Sequence, residues 1–191
     1  MLPITVNNFM SDHECDHIIK FIDDNLDMFY TGKYKLTHRL LYGIDHYHGN
    51  SNSKLEKIDA IEYIVKKYFD KTIKYIKDVM NETDELYISS FWLARQIEGG
   101  FLDLHSDTDK DQNVQFEYSC GIYLNDVNVD GTLDFPNLGY SYKPSKGDMV
   151  YWPSKDPVYD HEVVKVTDTR YTMLIWLTKD PAFNLLGENN A

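Results

Sequence analysis

A succession of short β-type segments dominates the chain from Leu86 onward. Eight runs rich in β-branched and aromatic residues occur there: LYISSFWLA, GGFLDLH, FEYSCGIYLN, TLDFP, YSYKP, DMVYWP, HEVVKV and TRYTMLIWL. Turn-forming segments such as EGG, PSKGD and PSKDP separate them, at the spacing of about 8–12 residues that is typical of sandwiches and barrels. The pattern predicts a β core of about eight strands, arranged as a double-sheet jelly roll.

Two amphipathic helices are predicted before this β region. Ser11 and Glu14 form a capping box, and apolar residues at helical spacing follow, which predicts a helix near residues 12–27. A longer apolar stripe predicts a second helix over residues 54–80. The predicted fold class is therefore mainly β with flanking α, with both helices packed outside the jelly roll.

The segment between the predicted helices, residues 28–52, has no sustained hydrophobic period and ends in a turn-rich GNSNS. It predicts irregular structure with short strands. Its four tyrosines and one arginine are candidates for lining a substrate mouth, although a surface loop with aromatic plugs explains them more simply.

The length of 191 residues, without an internal repeat or a low-complexity linker, predicts a single domain. We expect residues 1–85 to form a helical support region, residues 86–180 the jelly-roll core and residues 181–191 a tail. A net charge of −12 argues against a general nucleic-acid binder and against docking to an anionic membrane. No apolar run is long enough for a membrane-spanning helix.

Two further observations predict a cytoplasmic location. The opening MLPITVNNFMSD lacks the basic and apolar parts of a signal peptide. The two cysteines, Cys15 and Cys120, lie in apolar patterns, as expected of buried thiols in a reducing compartment.

A metal site is the strongest chemical hypothesis. In an extended strand His105 and Asp107 point the same way, because residues i and i+2 share a face. The His-x-Asp pair alone is weak, since a chain rich in aspartate produces it by chance. Adding the distant His161 gives two histidines and one carboxylate, the ligand set of non-haem Fe(II) oxygenases.

Arg170 suggests a site for a carboxylate beside this metal. If Thr167 and Asp168 form a two-residue hairpin turn, Arg170, Thr172 and His161 share one face of the β structure. Arginine grips a carboxylate through two parallel hydrogen bonds, which suits a bound dicarboxylate. A three-residue turn would reverse this parity, so the argument depends on the turn.

The ordered set of motifs resembles a known family. HSD, YLND, GTLDFP, KPSKGDMVYWPS and HEV…TRYTMLIWL occur in the order and approximate spacing of the Fe(II)/2-oxoglutarate-dependent oxygenases, specifically the prolyl 4-hydroxylase-like branch. The interval of nine between His161 and Arg170, with Trp176 six residues beyond, is similar to that in the hypoxia-sensing prolyl hydroxylases. The opening ITVNNFMSDHECDHIIKFI also resembles the start of many small members.

The resemblance implies a double-stranded β-helix that holds Fe(II) through His105, Asp107 and His161. It implies that 2-oxoglutarate chelates the iron through its 1-carboxylate and 2-keto oxygen, while Arg170 and Tyr123 bind the 5-carboxylate. O₂ is the second co-substrate, and ascorbate is a candidate reductant. The chain departs from the family at Gln96, where many prolyl hydroxylases carry a tyrosine near the co-substrate.

The implied reaction is hydroxylation of a C–H bond, coupled to decarboxylation of 2-oxoglutarate to succinate. Asp107 favours hydroxylation, because related halogenases lack this carboxylate. Trp176 matches a family tryptophan near the substrate. Thr172, on the face shared with Arg170, is an additional candidate for contacting the co-substrate.

The expected substrate is a prolyl residue of a peptide or protein. A free amino acid or another small molecule is the alternative, with Arg39 and Arg95 as candidate carboxylate partners. Demethylation of alkylated nucleic acid is less favoured because of the acidic charge. A non-catalytic metal-binding β-sandwich is disfavoured by the complete triad together with Arg170. The oligomeric state is left open.

Overall fold

The computed structural model describes residues 1–31, 37–42, 44–45, 50–51, 62–108, 115–127 and 130–185. Helix α1 spans Asp12–Asp24, and the described part of α2 is Glu62–Met80. The strands are β1 (Ile4–Val6), β2 (Tyr30–Thr31), β3 (Thr37–Tyr42), β4 (Ile44–Asp45), β5 (Asn50–Ser51), β6 (Tyr87–Gln96), β7 (Leu102–His105), β8 (Tyr118–Tyr123), β9 (Leu133–Phe135), β10 (Tyr140–Tyr142), β11 (Met149–Pro153), β12 (His161–Val163) and β13 (Arg170–Thr178).

Two antiparallel sheets form the centre of the molecule. The main sheet has seven strands in the order β1-β11-β8-β13-β6-β3-β2, and the minor sheet has four in the order β10-β9-β12-β7. Strands β4 and β5 form a separate hairpin. The described residues from 87 onward form eight strands, β6 to β13, divided equally between the two larger sheets. This confirms the predicted mainly β jelly roll of about eight strands with two flanking helices.

Helix α1 begins as its sequence predicts. The Ser11 hydroxyl accepts a hydrogen bond from the backbone N–H of Glu14, as expected of an N-cap, and donates one to the Glu14 carboxylate. The reciprocal half of the predicted capping box is absent, because the backbone N–H of Ser11 donates to the Tyr68 hydroxyl instead. The helix ends at Asp24, a few residues earlier than predicted, and a short 3₁₀ turn over Leu26–Met28 follows. Helix α2 ends at Met80, as predicted, whereas predicted helical residues 54–61 lie outside the described residues.

The N-terminal region contributes strands as well as helices. Strand β1 pairs with β11, and β3 pairs with β6 in continuous register from Thr37↔Gln96 to Tyr42↔Phe91. The simpler sequence interpretation of residues 28–52, a surface loop, is therefore wrong for β3. Because β6 is ten residues long, β3 can satisfy the backbone hydrogen-bonding groups on its second side. Residues 32–36, 43 and 46–49 lie outside the described residues.

The two faces of the main sheet pack against different partners. One face packs against both helices in the largest apolar cluster of the protein, which includes Ile18, Ile22, Phe69, Met173 and Ile175. The other face packs against the minor sheet through a smaller cluster. Of the helices in the described residues, none has the length and apolar content to cross a membrane.

Candidate metal and co-substrate site

The two histidines of the predicted triad are cross-strand neighbours in the minor sheet. Strands β7 and β12 pair antiparallel with His105 directly opposite His161, and the two imidazole centroids lie 4.4 Å apart. Asp107 follows β7 by two residues and turns toward both rings. Ligand atoms of the three side chains all lie within 4.8 Å of one another. The structure therefore brings together all three residues that the sequence predicts as metal ligands.

Backbone carbonyls orient both imidazoles. The Nδ1 atom of His105 lies 2.8 Å from the carbonyl oxygen of Asp103, and that of His161 lies 3.1 Å from the carbonyl oxygen of Tyr159. An imidazole that donates Nδ1–H to a carbonyl presents the lone pair of Nε2 to a metal. Phe135 and Trp152 pack on the His161 ring, at centroid distances of 5.5 Å and 4.7 Å.

The electrostatics of the triad fit a bound cation. Burial lowers the pKa of His161 below its ordinary value, although Asp107 opposes this shift, so the imidazole is neutral at physiological pH, as a metal ligand must be. The carboxylate oxygens of Asp107 lie 3.7 Å from His105 Nε2 and 3.6 Å from His161 Nε2, too far for hydrogen bonds. Its buried Oδ2 atom has no hydrogen-bond partner in the described part of the protein.

A buried arginine lies on the inner face of the main sheet, which is the face toward the minor sheet. Arg170 begins β13 and is paired with Gln96 on β6, while Thr172 on the same face is paired with Tyr123 on β8. All four side chains are less than 5% exposed. The predicted hairpin between β12 and β13 is wrong, because these strands lie in different sheets. Arg170 and Thr172 share a face as predicted, but His161 lies on the sheet opposite them.

The guanidinium of Arg170 is held by neutral groups. It donates one hydrogen bond to the Gln96 amide oxygen and a second, of 3.4 Å, to the Tyr123 hydroxyl. Its Nε atom has no partner, and no carboxylate of the described residues forms an ion pair with it. Burial raises the pKa of Tyr123, although Arg170 opposes the shift, so the phenol stays protonated and able to donate. A buried cation without a counter-charge favours an anionic ligand.

Two small residues lie on the inner face of the main sheet beside this cation. Ser119 and Gly121 occupy the inner face of β8, with larger side chains on β11 and β13 to either side. A Cβ atom added at Gly121 would lie 3.5 Å from the Tyr123 hydroxyl and 3.6 Å from Leu174, so a side chain here would contact both neighbours. Sequence reasoning missed these small residues. The signal was an isolated glycine within an apolar strand, which often marks the close approach of a ligand.

The remaining predicted residues are placed differently. Trp176 lies on the inner face of β13 with Arg170 and Thr172. Arg95 lies on the helix-facing side of β6, where its Nε atom is 3.3 Å from Asp23 and donates to the Tyr171 hydroxyl. Arg95 is therefore not brought to the site. The backbone of Arg39 lies in β3, opposite Ala94, which leaves its suggested role in binding a substrate a prediction.

Comparison with known proteins agrees with this geometry. Residues 91–178 match the family model described as the 2OG-Fe(II) oxygenase superfamily. This range contains the triad, Gln96, Tyr123, Arg170 and Trp176. None of the curated proteins matches the sequence.

Several solved structures share the fold. The viral collagen prolyl hydroxylase of Paramecium bursaria Chlorella virus 1, solved with 2-oxoglutarate, superposes with a TM-score of 0.70 at 19% identity, covering 93% of this chain and 96% of that one. A prolyl-4-hydroxylase of Pseudomonas putida gives 0.68 at 17%, covering 93% and 92%. A prolyl hydroxylase of Trichoplax adhaerens, in complex with a peptide fragment of the hypoxia-inducible factor oxygen degradation domain, gives 0.68 at 16%, covering 97% and 87%.

Proposed function

The chain is a 2OG-Fe(II) oxygenase with the fold of the prolyl 4-hydroxylases, and we propose that it hydroxylates a prolyl residue of a peptide or protein. Enzymes of this family use Fe(II), 2-oxoglutarate and O₂. Bound iron supplies the activation of O₂ that couples decarboxylation of 2-oxoglutarate to oxidation of a C–H bond. The protein's residues bind, orient and shield the reactants.

His105, Asp107 and His161 would hold the iron. A ligand set of two imidazole nitrogens and one carboxylate would leave positions on the metal open for co-substrates. The carbonyl oxygens of Asp103 and Tyr159 fix both rings, so little reorientation is needed when the metal binds. The unpartnered Oδ2 atom of Asp107 would gain a partner in the cation.

Arg170 would bind the distal carboxylate of 2-oxoglutarate. Its unpaired buried charge and its free Nε–H suit an anion. Tyr123 is positioned to donate its hydroxyl hydrogen to the same carboxylate. Gln96 accepts a hydrogen bond from Arg170 through its amide oxygen, which orients the guanidinium. Thr172, between Tyr123 and Ala94 in register, adds a hydroxyl to the same buried face.

A peptide substrate is favoured over a free amino acid. A zwitterionic amino acid needs charged partners for its ammonium and carboxylate groups. Arg95 does not supply one, because it is engaged by Asp23 and Tyr171 on the other face of the sheet. The Trichoplax protein, which has a similar fold, binds a peptide. A prolyl residue within a peptide presents no charge to the site.

We also propose that the protein works in the cytoplasm. Cys15 and Cys120 are buried free thiols, which fit a reducing compartment.

The observation that carries the proposal is the placement of a metal-ligand triad and an unpaired buried arginine on facing sheets. Anaerobic titration tests it. Fe(II) and then 2-oxoglutarate are added to the protein, and the visible charge-transfer band of the chelate is recorded. We expect the band in the wild type and its loss in His105→Ala. Arg170→Ala should need about 100-fold more 2-oxoglutarate, because a charge-assisted pair is lost.

Arg95→Ala is the matched control, since it removes an arginine from the opposite face of the sheet. It should form the band at the wild-type concentration of 2-oxoglutarate. Absence of the band in folded, iron-loaded wild type would refute the proposal. Equal effects of the two arginine variants would refute the role of Arg170.

A further inference from the structure

A side-chain amide holds the start of β13 where its pairing with β8 has ended. The register between the two strands ends at the Thr172–Tyr123 pair, two residues short of Arg170. On its other side Arg170 is paired with Gln96 of β6. Asn125 lies two residues beyond the end of β8 and hydrogen-bonds to the backbone next to Arg170. Part of the hydrogen bonding on the β8 side is therefore made by a side chain and not by a strand.

The amide of Asn125 binds the peptide groups on both sides of Arg170. Its Nδ2 atom donates to the carbonyl oxygen of Thr169 at 2.7 Å, and its Oδ1 atom accepts from the backbone N–H of Tyr171 at 2.8 Å. The Nδ2 atom also donates to the carbonyl oxygen of Asp126 at 3.0 Å, so both ends of the amide have defined partners. The backbone of Arg170 is thereby fixed before and after its Cα atom.

Arg170 needs such a restraint because its charge is buried without a counter-ion. The guanidinium is held by neutral partners, and its Nε atom has none among the described residues. Before an anion binds, this desolvated charge favours any movement that returns it to water. The path to water is short, since Thr167 and Asp168 are exposed and the end of a strand opens at low cost. The hydrogen bonds of Asn125 oppose that opening.

We infer that Asn125 is a positioning residue for the co-substrate, because it keeps the backbone of Arg170 in the sheet while the guanidinium has no anion to bind. The inference rests on the proposed function, in which Arg170 receives the distal carboxylate of 2-oxoglutarate. Asn125 acts through the main chain and on the main sheet only. The metal ligands His105 and His161 lie on the minor sheet and should be unaffected.

The size of the effect follows from the population of the arrangement that can bind. An apparent dissociation constant rises in proportion as the competent fraction of the protein falls. Removing the Asn125 amide loses about one net hydrogen bond, so we expect Arg170 to be in position for about a tenth of the time. Saturating 2-oxoglutarate returns Arg170 to its position, so the rate at saturation should stay within about twofold of the wild type.

The first test measures binding and turnover of 2-oxoglutarate by Asn125→Ala. Anaerobic titration of the Fe(II)-loaded variant should give the charge-transfer band at about tenfold higher 2-oxoglutarate, with full intensity at saturation. Steady-state assays of 2-oxoglutarate turnover should show the same rise in KM with little change in kcat. The affinity for Fe(II), measured without 2-oxoglutarate, should equal that of the wild type.

Hydrogen exchange measures the opening of the strand directly. The Tyr171 N–H that donates to Asn125 is itself an exchanging amide. In the anaerobic Fe(II)-loaded Asn125→Ala protein, deuterium uptake by the peptide that contains residues 169–172 should be raised without 2-oxoglutarate. At saturation it should return to the wild-type level, because the bound co-substrate holds Arg170 in place. A purely structural defect would leave the uptake raised in both states.

Asn125→Asp has nearly the same shape and serves if the alanine variant does not fold. Its carboxylate can accept from Tyr171 but cannot donate to Thr169, so it too should need more 2-oxoglutarate than the wild type. Asn25→Ala is the matched control, because that amide donates to the carbonyl oxygen of Phe21 at 2.8 Å at the end of α1. It should lose stability and keep the wild-type requirement for 2-oxoglutarate.

The wild type and the variants together distinguish the inference from the proposed function. Formation of the band at the wild-type concentration of 2-oxoglutarate in both Asn125 variants would overturn the inference alone. An equal rise in Asn25→Ala, or exchange at residues 169–172 that stays raised at saturation, would also overturn it, because either would show a general loss of stability. Absence of the band in folded, iron-loaded wild type would overturn the proposed function and the inference with it.

Discussion

The two faces of β13 are built from alternating residues of one strand, yet they have opposite character. On the helix-facing side, Tyr171, Met173, Ile175 and Leu177 are all buried in the largest apolar cluster. On the inner side, Arg170, Thr172, Leu174 and Trp176 include a buried cation, a hydroxyl and a half-buried leucine. Side chains alternate between the two faces of a strand, so the residues of β13 that stabilise the core lie on the helix-facing side and those available for binding lie on the inner side.

Polar groups show the same contrast. On the helix-facing side, Arg95, Asp23 and Tyr171 satisfy one another, with Tyr171 donating to the Asp23 carboxylate at 2.9 Å. On the inner side the buried Nε of Arg170 has no partner among the described residues, and on the facing minor sheet the same holds for Oδ2 of Asp107. The helix-facing cluster also contains an unpartnered buried group, the Tyr151 hydroxyl, but that group carries no charge. Leaving a charged group buried without a partner costs the most stability, so the inner side is prepared for ligands.

Replacing Asp107 should break this contrast most strongly. Asp107→Ala removes the carboxylate ligand, so we expect iron-dependent turnover of 2-oxoglutarate to fall on the order of 1,000-fold. The metal-free variant should unfold at the same temperature as the wild type or higher, because an unpartnered buried charge is removed. Turnover assays and thermal unfolding with and without Fe(II) measure both effects.

The control for this variant is Asp134→Ala, on β9 of the same sheet, where the carboxylate accepts a hydrogen bond from Ser141. It should leave turnover unchanged. A metal-free Asp107→Ala protein that is clearly less stable than the wild type would show that Asp107 has a structural role.

Truncating side chains at neighbouring positions of β13 should distinguish the role of the helix-facing side from that of the inner side. Met173→Ala opens a cavity in the helix-facing cluster and should cost about 2–5 kcal/mol of unfolding free energy, with kcat per folded molecule unchanged. Leu174→Ala, at a half-buried site on the inner face, should cost less stability but raise KM. Denaturant unfolding and steady-state kinetics on both variants make the comparison. If both variants lose stability equally and neither changes KM, the division between faces is wrong.

Much of the fold could be predicted from local sequence patterns. The eight β-type runs from Leu86 onward became strands β6 to β13, and the Ser11–Glu14 capping box marked the start of α1. The metal triad was also predicted, although Asp107 lies two residues beyond the end of β7 and not on the strand that the alternation argument assumed; its distant partner, His161, was identified by family order. The strands, the start of α1 and the His-x-Asp pair each depend on residues that lie close together in the sequence.

Pairing across the molecule was harder to predict. The turn after His161 suggested a hairpin, but β12 and β13 belong to different sheets. The alternation of side chains identifies a strand but does not show which strand it pairs with. Strand β3 was obscured by irregular composition and is stabilised by the free side of β6. Arg95 was a candidate carboxylate partner for a small-molecule substrate, yet alternation places its side chain on the face opposite that of Gln96.

Tyr171→Phe should weaken the link between α1 and the helix-facing side of the sheet. It removes the hydroxyl that donates to Asp23 and accepts from Arg95, and hydrogen bonds to charged groups contribute about 1.5 kcal/mol or more. We expect a loss of about that size in unfolding free energy, with the affinity for 2-oxoglutarate unchanged. A changed affinity would show that the two faces are coupled through β13.

The smallest expected effect concerns the link between the two helices. Burial opposes ionisation of Glu14, but hydrogen bonds from Lys67, Ser11 and Tyr68 together outweigh it and lower its pKa from 4.5 to about 2. Its contribution is therefore fully present above pH 4.5 and is lost as the pH falls toward 2. Because solvent screens this pair, we expect Glu14→Gln to cost about 1 kcal/mol at pH 7 and nothing near pH 2.

Urea unfolding at pH 7, 4.5 and 3 measures this difference for the wild type and Glu14→Gln. Glu85→Gln is the matched control, because that carboxylate is 73% exposed and forms only a surface pair with Lys77. The gap between wild type and Glu14→Gln should close on acidification, whereas Glu85→Gln should follow the wild type throughout. A gap that persists at pH 3 undiminished would mean that Glu14 acts through packing, and that the helix-facing side owes its stability to shape rather than to charge.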